Sequence, residues 1–442
     1  MTKNQEITLR IQSLNERGYG VGEFEDQPVL ILNSLPGELV RATVFKKKQG
    51  LVYGKAEEIL ESSPFRKESR EEHYFACSPW QILDYNEENK VKHDFITQAF
   101  NYEANFELPN FEVTGQVDNI KDHYHYRNKV EFSFFGFDDE SLMLAYFMRE
   151  GNFGKYPHRG CLLVTEQMNI AANKILDFLN AKKILAKQLK SLVLRHSFST
   201  NKVVASLYCK DEELKFKDEE LKNLLDDTFT GIVIVHSSRK SPASIVTSIN
   251  QEIGLTQLTE KVLDVNLSYN FDSFFQVNPP AFELAASDIL KYIQANHEAK
   301  NSTLVDLYAG VGTIGLTLAK YVKKVVGVEV SSGSQKIALL NAKNNDITNF
   351  EFIEASAENA LQTIDQADFL VVDPPRTGLW FPVMEKILAS KPKFIIYLSC
   401  NPRSLAANFA KLKEFYELEF VRGYNFYPHT PHVESLIILK LK

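Results

Sequence analysis

LVDLYAGVGTIGLTLA, residues 304–319, decides the fold. Residues 304–308 read as a buried strand, and the glycine-rich turn after them runs straight into the helical pattern IGLTLAKYV. Gly310, Gly312 and Gly315 satisfy G-x-G-x-x-G, a spacing at which backbone without Cβ atoms can approach a ligand closely. Outward from that turn the alternation continues. Strand candidates at 325–329, 350–353, 369–372 and 394–399 are separated by helical segments such as SGSQKIALLNAKNN, the pattern of a parallel doubly wound sheet. Two more candidates, 418–422 and 435–441, are joined without a helix, so the last strand is expected to insert antiparallel.

Upstream the pattern changes twice. In residues 1–62 the segments ITLRIQSL, PVLILNSL, LVRATVFKKK and LVYGKAEEIL alternate apolar and polar residues, with turns at Arg17-Gly18-Tyr19-Gly20 and Leu35-Pro36-Gly37-Glu38. A small antiparallel barrel is expected there. Lys46, Lys47, Lys48 and Tyr53 are candidates for a basic, aromatic face that binds a single strand; the competing reading is that the lysines only blunt an edge strand. A charged stretch over 61–72 reads as a linker. Residues 63–260 mix a helical period around 90–102 with strands such as VEFSFFGF and KVVASLYC, and no catalytic motif stands out there by spacing.

Composition sets bounds. The 442 residues carry a formal net charge of −7, which argues against indiscriminate nucleic-acid binding but leaves room for a local basic groove. Four cysteines, Cys77, Cys161, Cys209 and Cys400, have no paired short spacing, so neither a zinc knuckle nor a disulfide framework is expected, and a reducing cytoplasm fits. No apolar run approaches the roughly 18 residues of a membrane span, and the first 20 residues hold no signal-peptide core.

Three groups near strand ends carry the chemistry. After the glycine turn, Glu329 ends the next strand, where an acid grips ribose hydroxyls; an adenosine-containing cofactor is expected, dinucleotide or S-adenosylmethionine. ADFLVVDPPRTGL ends a strand in Asp373-Pro374-Pro375, a carboxylate on a stiff loop of the kind that holds a planar base beside a sulfonium; Arg376, where amine methylases carry an aromatic residue, points away from amine methylation. FIIYLSCNPRSL places Cys400 at the tip of an apolar strand, and PHTPHVESLIIL opens the final strand with Glu434. C5 of uracil attacks a methyl sulfonium only after a thiolate has added at C6, and a base must then remove the C5 proton. Cys400 and Glu434 suit those two roles if the last strand is antiparallel. His429 and His432 read as loop or phosphate-contacting residues, with a Cys–His hydrolase as the other possibility.

Together GYGVGEF with LPGELV, YRNKVEFSF, FFQVNPPAFE, DLYAGVGTIGL, DPPRTGL, LSCNP and HVESLIIL resemble the TRAM-domain RNA uracil-5-methyltransferases, the 23S rRNA enzymes in particular. The resemblance implies an α/β fold. A class I methyltransferase-type doubly wound sheet and its S-adenosyl-L-methionine site would occupy 261–442. A TRAM/OB-like RNA-binding barrel would occupy 1–62, and a central RNA-binding α+β domain 63–260. It implies Cys400 as nucleophile and Glu434 as proton acceptor, with Gln276, Tyr308, Gly310, Gly312, Thr313, Glu329 and Asp373 around the cofactor; Asp373 would also hold the uracil. Arg127 and Asn128 would face RNA. The expected substrate is structured RNA, ribosomal before transfer RNA, methylated by a cytoplasmic monomer; a nicotinamide-dependent oxidoreductase is the reading from another class. Many relatives hold a [4Fe–4S] cluster on four cysteines, whereas this chain keeps only Cys77 and Cys161 of them, so no cluster and no metal are expected, with Trp80 and its neighbours packing in its place.

Overall fold

In the computed structural model, residues 3–115, 123–137, 141–148, 154–241 and 244–442 are described. The largest sheet has eight strands in the order Phe350–Glu354, Lys324–Glu329, Thr303–Leu307, Phe369–Val372, Phe394–Ser399, Glu434–Leu441, Tyr416–Tyr424, Val113–Thr114. Its first five strands are parallel. Glu434–Leu441 runs antiparallel to both of its neighbours, as its helix-free connection requires. FLVV and FIIYLS are buried at every position because helices cover both faces of the sheet. Phe282 and Ile289 of helix Pro279–Ala295 pack on one side; Ile96 and Phe100 of Tyr85–Ala104 and Phe409 of Pro402–Leu412 pack on the other. Phe100 and Phe409 meet with ring centroids 5.2 Å apart. Truncating either to alanine is expected to cost about 3–5 kcal/mol.

A second, seven-stranded sheet fills the centre of the chain, with Lys129–Phe135, Leu189–Ser197 and Lys202–Cys209 among its strands and helix Glu166–Ala181 packed on one face.

The N-terminal barrel is closed, in the order Glu6–Leu14, Gly20–Phe24, Gln27–Leu32, Leu51–Glu61, Leu39–Lys48. That is one strand more than the alternation pattern gives. Gly20–Phe24 hides because glycine weakens any strand signal, yet glycine is needed there. A Cβ on Gly20 would lie 2.2 Å from Ser34 Oγ, and one on Gly22 would lie 2.7 Å from the Arg10 carbonyl. Tyr53 is a second correction: it is 4% exposed, edge-on to Tyr19, and packs with Tyr19, Leu30 and Leu32 in a cluster separate from the barrel core instead of offering a stacking surface. Lys46 lies over its ring, with Nζ 5.5 Å from the centroid, while Lys47 and Lys48 are exposed.

The barrel is fastened to the rest. The buried Glu38 carboxylate accepts from Arg66 Nε at 2.6 Å and from Arg66 Nη2 at 2.8 Å, and Arg403 Nε donates to Glu16 at 2.7 Å. Trp80 packs among Leu14, Leu35 and Phe95, so it wedges the barrel against helix Tyr85–Ala104.

Candidate active site

Parallel strands deliver side chains to one edge, and the residues at or just past their ends share a crevice. Tyr308 follows Thr303–Leu307, Asp373 follows Phe369–Val372, Cys400 follows Phe394–Ser399, and Glu329 closes Lys324–Glu329. The inserted strand adds the remaining group: Ser399 pairs with Ser435, which brings Glu434 to the same edge as Cys400. Gln276, Tyr308, Gly310, Glu329, Asp373, Cys400 and Glu434 all line one cavity of about 760 Å³. Cys400 also borders a second hollow of about 490 Å³, walled by Glu16, Arg17 and Tyr19 of the barrel and by His432. Cys400 is thus reachable from two sides.

The glycine turn divides its tasks. Tyr308, Gly310 and Gly312 have φ of 67°, 56° and 86°. For Tyr308 this left-handed conformation costs on the order of 1–2 kcal/mol, so the surrounding packing must hold it. A Cβ on Gly310 would meet nothing within 4 Å, whereas one on Gly312 would lie 2.8 Å from Leu316. Gly310 therefore keeps the crevice wall open, and Gly312 serves packing and stands outside the cavity. Thr313 lines a small recess beneath it together with Asp306 and Asp373. Glu329 accepts from Gly310 N at 3.2 Å and from Ser331 N at 2.8 Å, which fixes its carboxylate at the cavity wall. Asp306 went unnoticed in the sequence: it is 1% exposed and accepts from Gly315 N at 2.8 Å, locking strand to helix.

Negative charge crowds the crevice. Burial pushes Asp373 up to about 7, although Gln276 Nε2 donates to its Oδ2 at 3.0 Å and opposes the rise. Burial and the nearby Asp373 carry Glu434 well above the usual carboxylate range. Tyr427 donates to Glu434 Oε1 at 3.3 Å, and Oε2 is buried without a partner. Burial and Glu434 push the Cys400 thiol up to about 12, against the pull of Arg376. Arg376 Nη2 also meets His432 Nδ1 at 2.8 Å, and Asn401 Nδ2 donates to the Arg376 carbonyl. A cation held among these three groups would favour their ionised forms.

A buried network holds the loop before Glu434. Lys92 Nζ, on helix Tyr85–Ala104, donates to Glu88 at 2.6 Å, to Asn425 Oδ1 at 2.6 Å and to the Tyr427 carbonyl at 3.1 Å, while Glu88 accepts from His429 N. His429 is buried and stacks on Tyr124, so it belongs to this loop's packing. Asn128 is 1% exposed and braces Gln276: its Nδ2 donates to the Gln276 carbonyl at 3.0 Å and its N to Val277 O at 2.8 Å. It presents no surface to RNA, unlike the expectation. Arg127 is half-buried and borders a neighbouring groove with Tyr427 and His432. Lys46, Lys47 and Lys48 are not among the residues lining any of these hollows. Tyr427 is a functional candidate that the sequence did not reveal, and Arg376, read in the sequence only as a mark against amine methylation, stands beside the Cys400 sulfur.

Residues 84–442 match the profile of the family described as tRNA (Uracil-5-)-methyltransferase. A protein described as an uncharacterized RNA methyltransferase, from Caldanaerobacter subterraneus subsp. tengcongensis, is 30% identical over 458 residues, covering 100% of both chains. A Bacillus anthracis protein of the same description is 31% identical over 457 residues, covering 99% of this chain and 97% of its own. In fold, the chain is similar to Pyrococcus abyssi tRNA (uracil-54, C5)-methyltransferase, crystallised with S-adenosyl-L-homocysteine: TM-score 0.76, 24% identity, 98% of this chain and 100% of the other.

Proposed function

The chain belongs to the tRNA (uracil-5-)-methyltransferase family, and from that premise we propose that it methylates C5 of a uridine in structured RNA through a covalent adduct on Cys400. The observation that carries this reading is the pairing of Ser399 with Ser435, which sets a thiol and a carboxylate at one sheet edge beside Asp373. Cys400 Sγ adds to C6 of the uracil, and the ring electrons move toward C5 and O4. The carboxylate of Glu434 then takes the proton from the methylated C5; the S–C6 bond breaks, the C5–C6 double bond re-forms, and sulfur leaves as thiolate. Arg376 supplies positive charge beside Sγ when the thiolate forms.

The crevice fits S-adenosylmethionine. Glu329 is fixed where ribose hydroxyls can donate to it, the Tyr308 hydroxyl is buried without a partner, and Gly310 leaves its wall open. When bound, the cofactor supplies an electrophilic methyl group on a cationic sulfur. Positive charge among Asp373, Glu434 and Cys400 lowers all three toward their ionised forms. The oxidoreductase reading uses the glycine turn but gives Cys400 and Glu434 nothing to do.

To enter the crevice the base must leave its stack, at a cost of a few kcal/mol that a loop in the RNA reduces. Ribosomal RNA is the substrate that the sequence resemblance favours. Transfer RNA is the second reading, because the family whose profile residues 84–442 match is described as tRNA (Uracil-5-)-methyltransferase. Mapping 5-methyluridine in total RNA with and without the protein decides between them. Glu434→Gln should trap a protein–RNA adduct visible as a slow band on a denaturing gel, and release of unadducted methylated product by that variant would refute the mechanism.

A further inference from the structure

Glu71, His73, Cys77 and Cys161 converge in the central region, away from the crevice, with one donor atom from each lying within 4.8 Å of all the others. The four-thiolate cluster of many relatives does not fit them. Only two of these donors are sulfur, and the remaining cysteines are elsewhere: Cys209 donates to Val235 O in the central sheet, and Cys400 stands in the crevice. We infer that Glu71, His73, Cys77 and Cys161 hold a single zinc ion in tetrahedral S₂NO coordination.

The donor set matches that ion's chemistry. Zinc takes thiolate, imidazole and carboxylate at about 2.0–2.3 Å, which spaces neighbouring donors roughly 3.3–3.8 Å apart. His73 Nε2 and Glu71 Oε1 already stand 3.3 Å apart, both side chains 8% exposed. Small side-chain rotations close the remaining pairs. His73 Nε2 is buried and makes no well-aligned hydrogen bond, although Glu71 Oε1 stands beside it, which suits an atom that could ligate an ion. The surrounding contacts orient the donors as a second layer should. Glu71 accepts from Leu162 N at 2.6 Å and from Gln81 Nε2 at 2.7 Å. Asn169 holds Cys161 through both its backbone N and O, at 3.1 Å each. His73 is stacked on His158 at 4.7 Å.

The ion would be a staple. It joins 71–77 to the segment beginning at Cys161, where the Leu163 carbonyl accepts from Arg127 N at 2.9 Å. Cys77, Arg127 and Cys161 line the same groove as Tyr427, which also lines the catalytic cavity. A metal here would set the floor of the path that RNA follows to Cys400.

The untagged full-length protein, purified without added metal, should contain close to one zinc per chain by mass spectrometry. Replacing that zinc with cobalt(II) should give the intense visible bands of a tetrahedral site together with a thiolate charge-transfer band. Cys161→Ser and Cys77→Ser should each lose the metal, while Cys209→Ser keeps it. Gln81→Ala, which frees Glu71, should weaken metal affinity roughly 10-fold to 100-fold. Wild-type protein that binds neither zinc nor cobalt stoichiometrically would overturn the assignment, whether or not the variants fold. So would a Cys77–Cys161 disulfide in the protein as purified, acid-labile sulfide accompanying iron, or zinc retained by both serine variants.

Discussion

At Cys400, half-buried at a strand tip, burial and Glu434 push the thiol up to about 12 and only Arg376 opposes them. Cys161 is buried more deeply, at 3% exposure, yet its thiol is pulled well below the ordinary range. Burial therefore does not decide which sulfur ionises. Hydrogen-bond donors decide it: Cys77, Tyr146 and the Leu163 N–H outweigh both burial and the Glu71 carboxylate beside Cys161, whereas Cys400 faces two carboxylates. A sulfur surrounded by donors suits a permanent ligand. One that keeps its proton until a cation arrives suits a nucleophile that should stay quiet in the absence of substrate.

The contrast is sharpest when each sulfur is removed. Cys400→Ala is expected to reduce methyl transfer by at least about 10⁴-fold, the scale of deleting a covalent nucleophile, and to leave cofactor binding in place. Isothermal titration with S-adenosylmethionine beside a methyl-incorporation assay measures both. Cys161→Ser should reverse the emphasis, lowering thermal stability by several degrees while leaving that cofactor titration intact. Substantial activity in Cys400→Ala would remove the distinction between the two sulfurs altogether.

Arg376 is the next lever because it is the single group holding Cys400 down. Arg376→Gln should slow the reaction on the order of 10-fold to 100-fold, the worth of one charge-assisted hydrogen bond. The sign in pH follows from its charge. Without the guanidinium the thiol rises further, so the limb on which activity increases with pH should move to higher pH. A rate loss with an unchanged pH profile would make Arg376 a contact for RNA and not an activator of sulfur.

The two regions were unequally legible in the sequence. The catalytic edge was readable because strand ends follow from apolar runs: 394–399 and 369–372 match the observed strands, and Cys400 and Asp373 stand directly after them. Even the antiparallel insertion followed from a missing helix. Arg376 and Tyr427 were not readable in these roles, since their partners lie 56 and seven positions away across loops whose paths no periodicity describes. The central cluster was harder still. Glu71 and His73 stand in a polar stretch that resembles a linker, and Cys161 lies about ninety residues on, so only folding reveals a common centre. Asn128 was misread for a related reason: its YRNKV context marks position, while its burial against Gln276 emerges only from sheet-to-loop packing. Removing that brace with Asn128→Ala leaves the Gln276 carbonyl unpaired, and a stability loss of about 1–3 kcal/mol by chemical denaturation is expected, with weaker cofactor binding as Gln276 shifts.

Smallest in size, but most direct on proton storage, is the replacement of Asp373 by asparagine. The folded protein holds this carboxyl at about 7, against roughly 4 for an unfolded aspartate. The folded state therefore binds the extra proton between those values, and its stabilising contribution is complete below about pH 4 and is lost as pH rises through 7. Asp373→Asn should therefore gain stability relative to the wild type on going from pH 5 to pH 8. The crevice is partly open to water, which limits the gain to about 1 kcal/mol, or about 1 °C in Tm for a chain of this length. Asparagine keeps an oxygen that can accept from Gln276 Nε2, so the hydrogen bond survives and the change reports charge. Losing Asp373 also removes one cause of the rise in Glu434, so part of the gain belongs to that neighbour. If the difference between variant and wild type stays flat from pH 5 to pH 8, the crevice stores no proton at Asp373, and the contrast with the central cluster then rests on Cys400 alone.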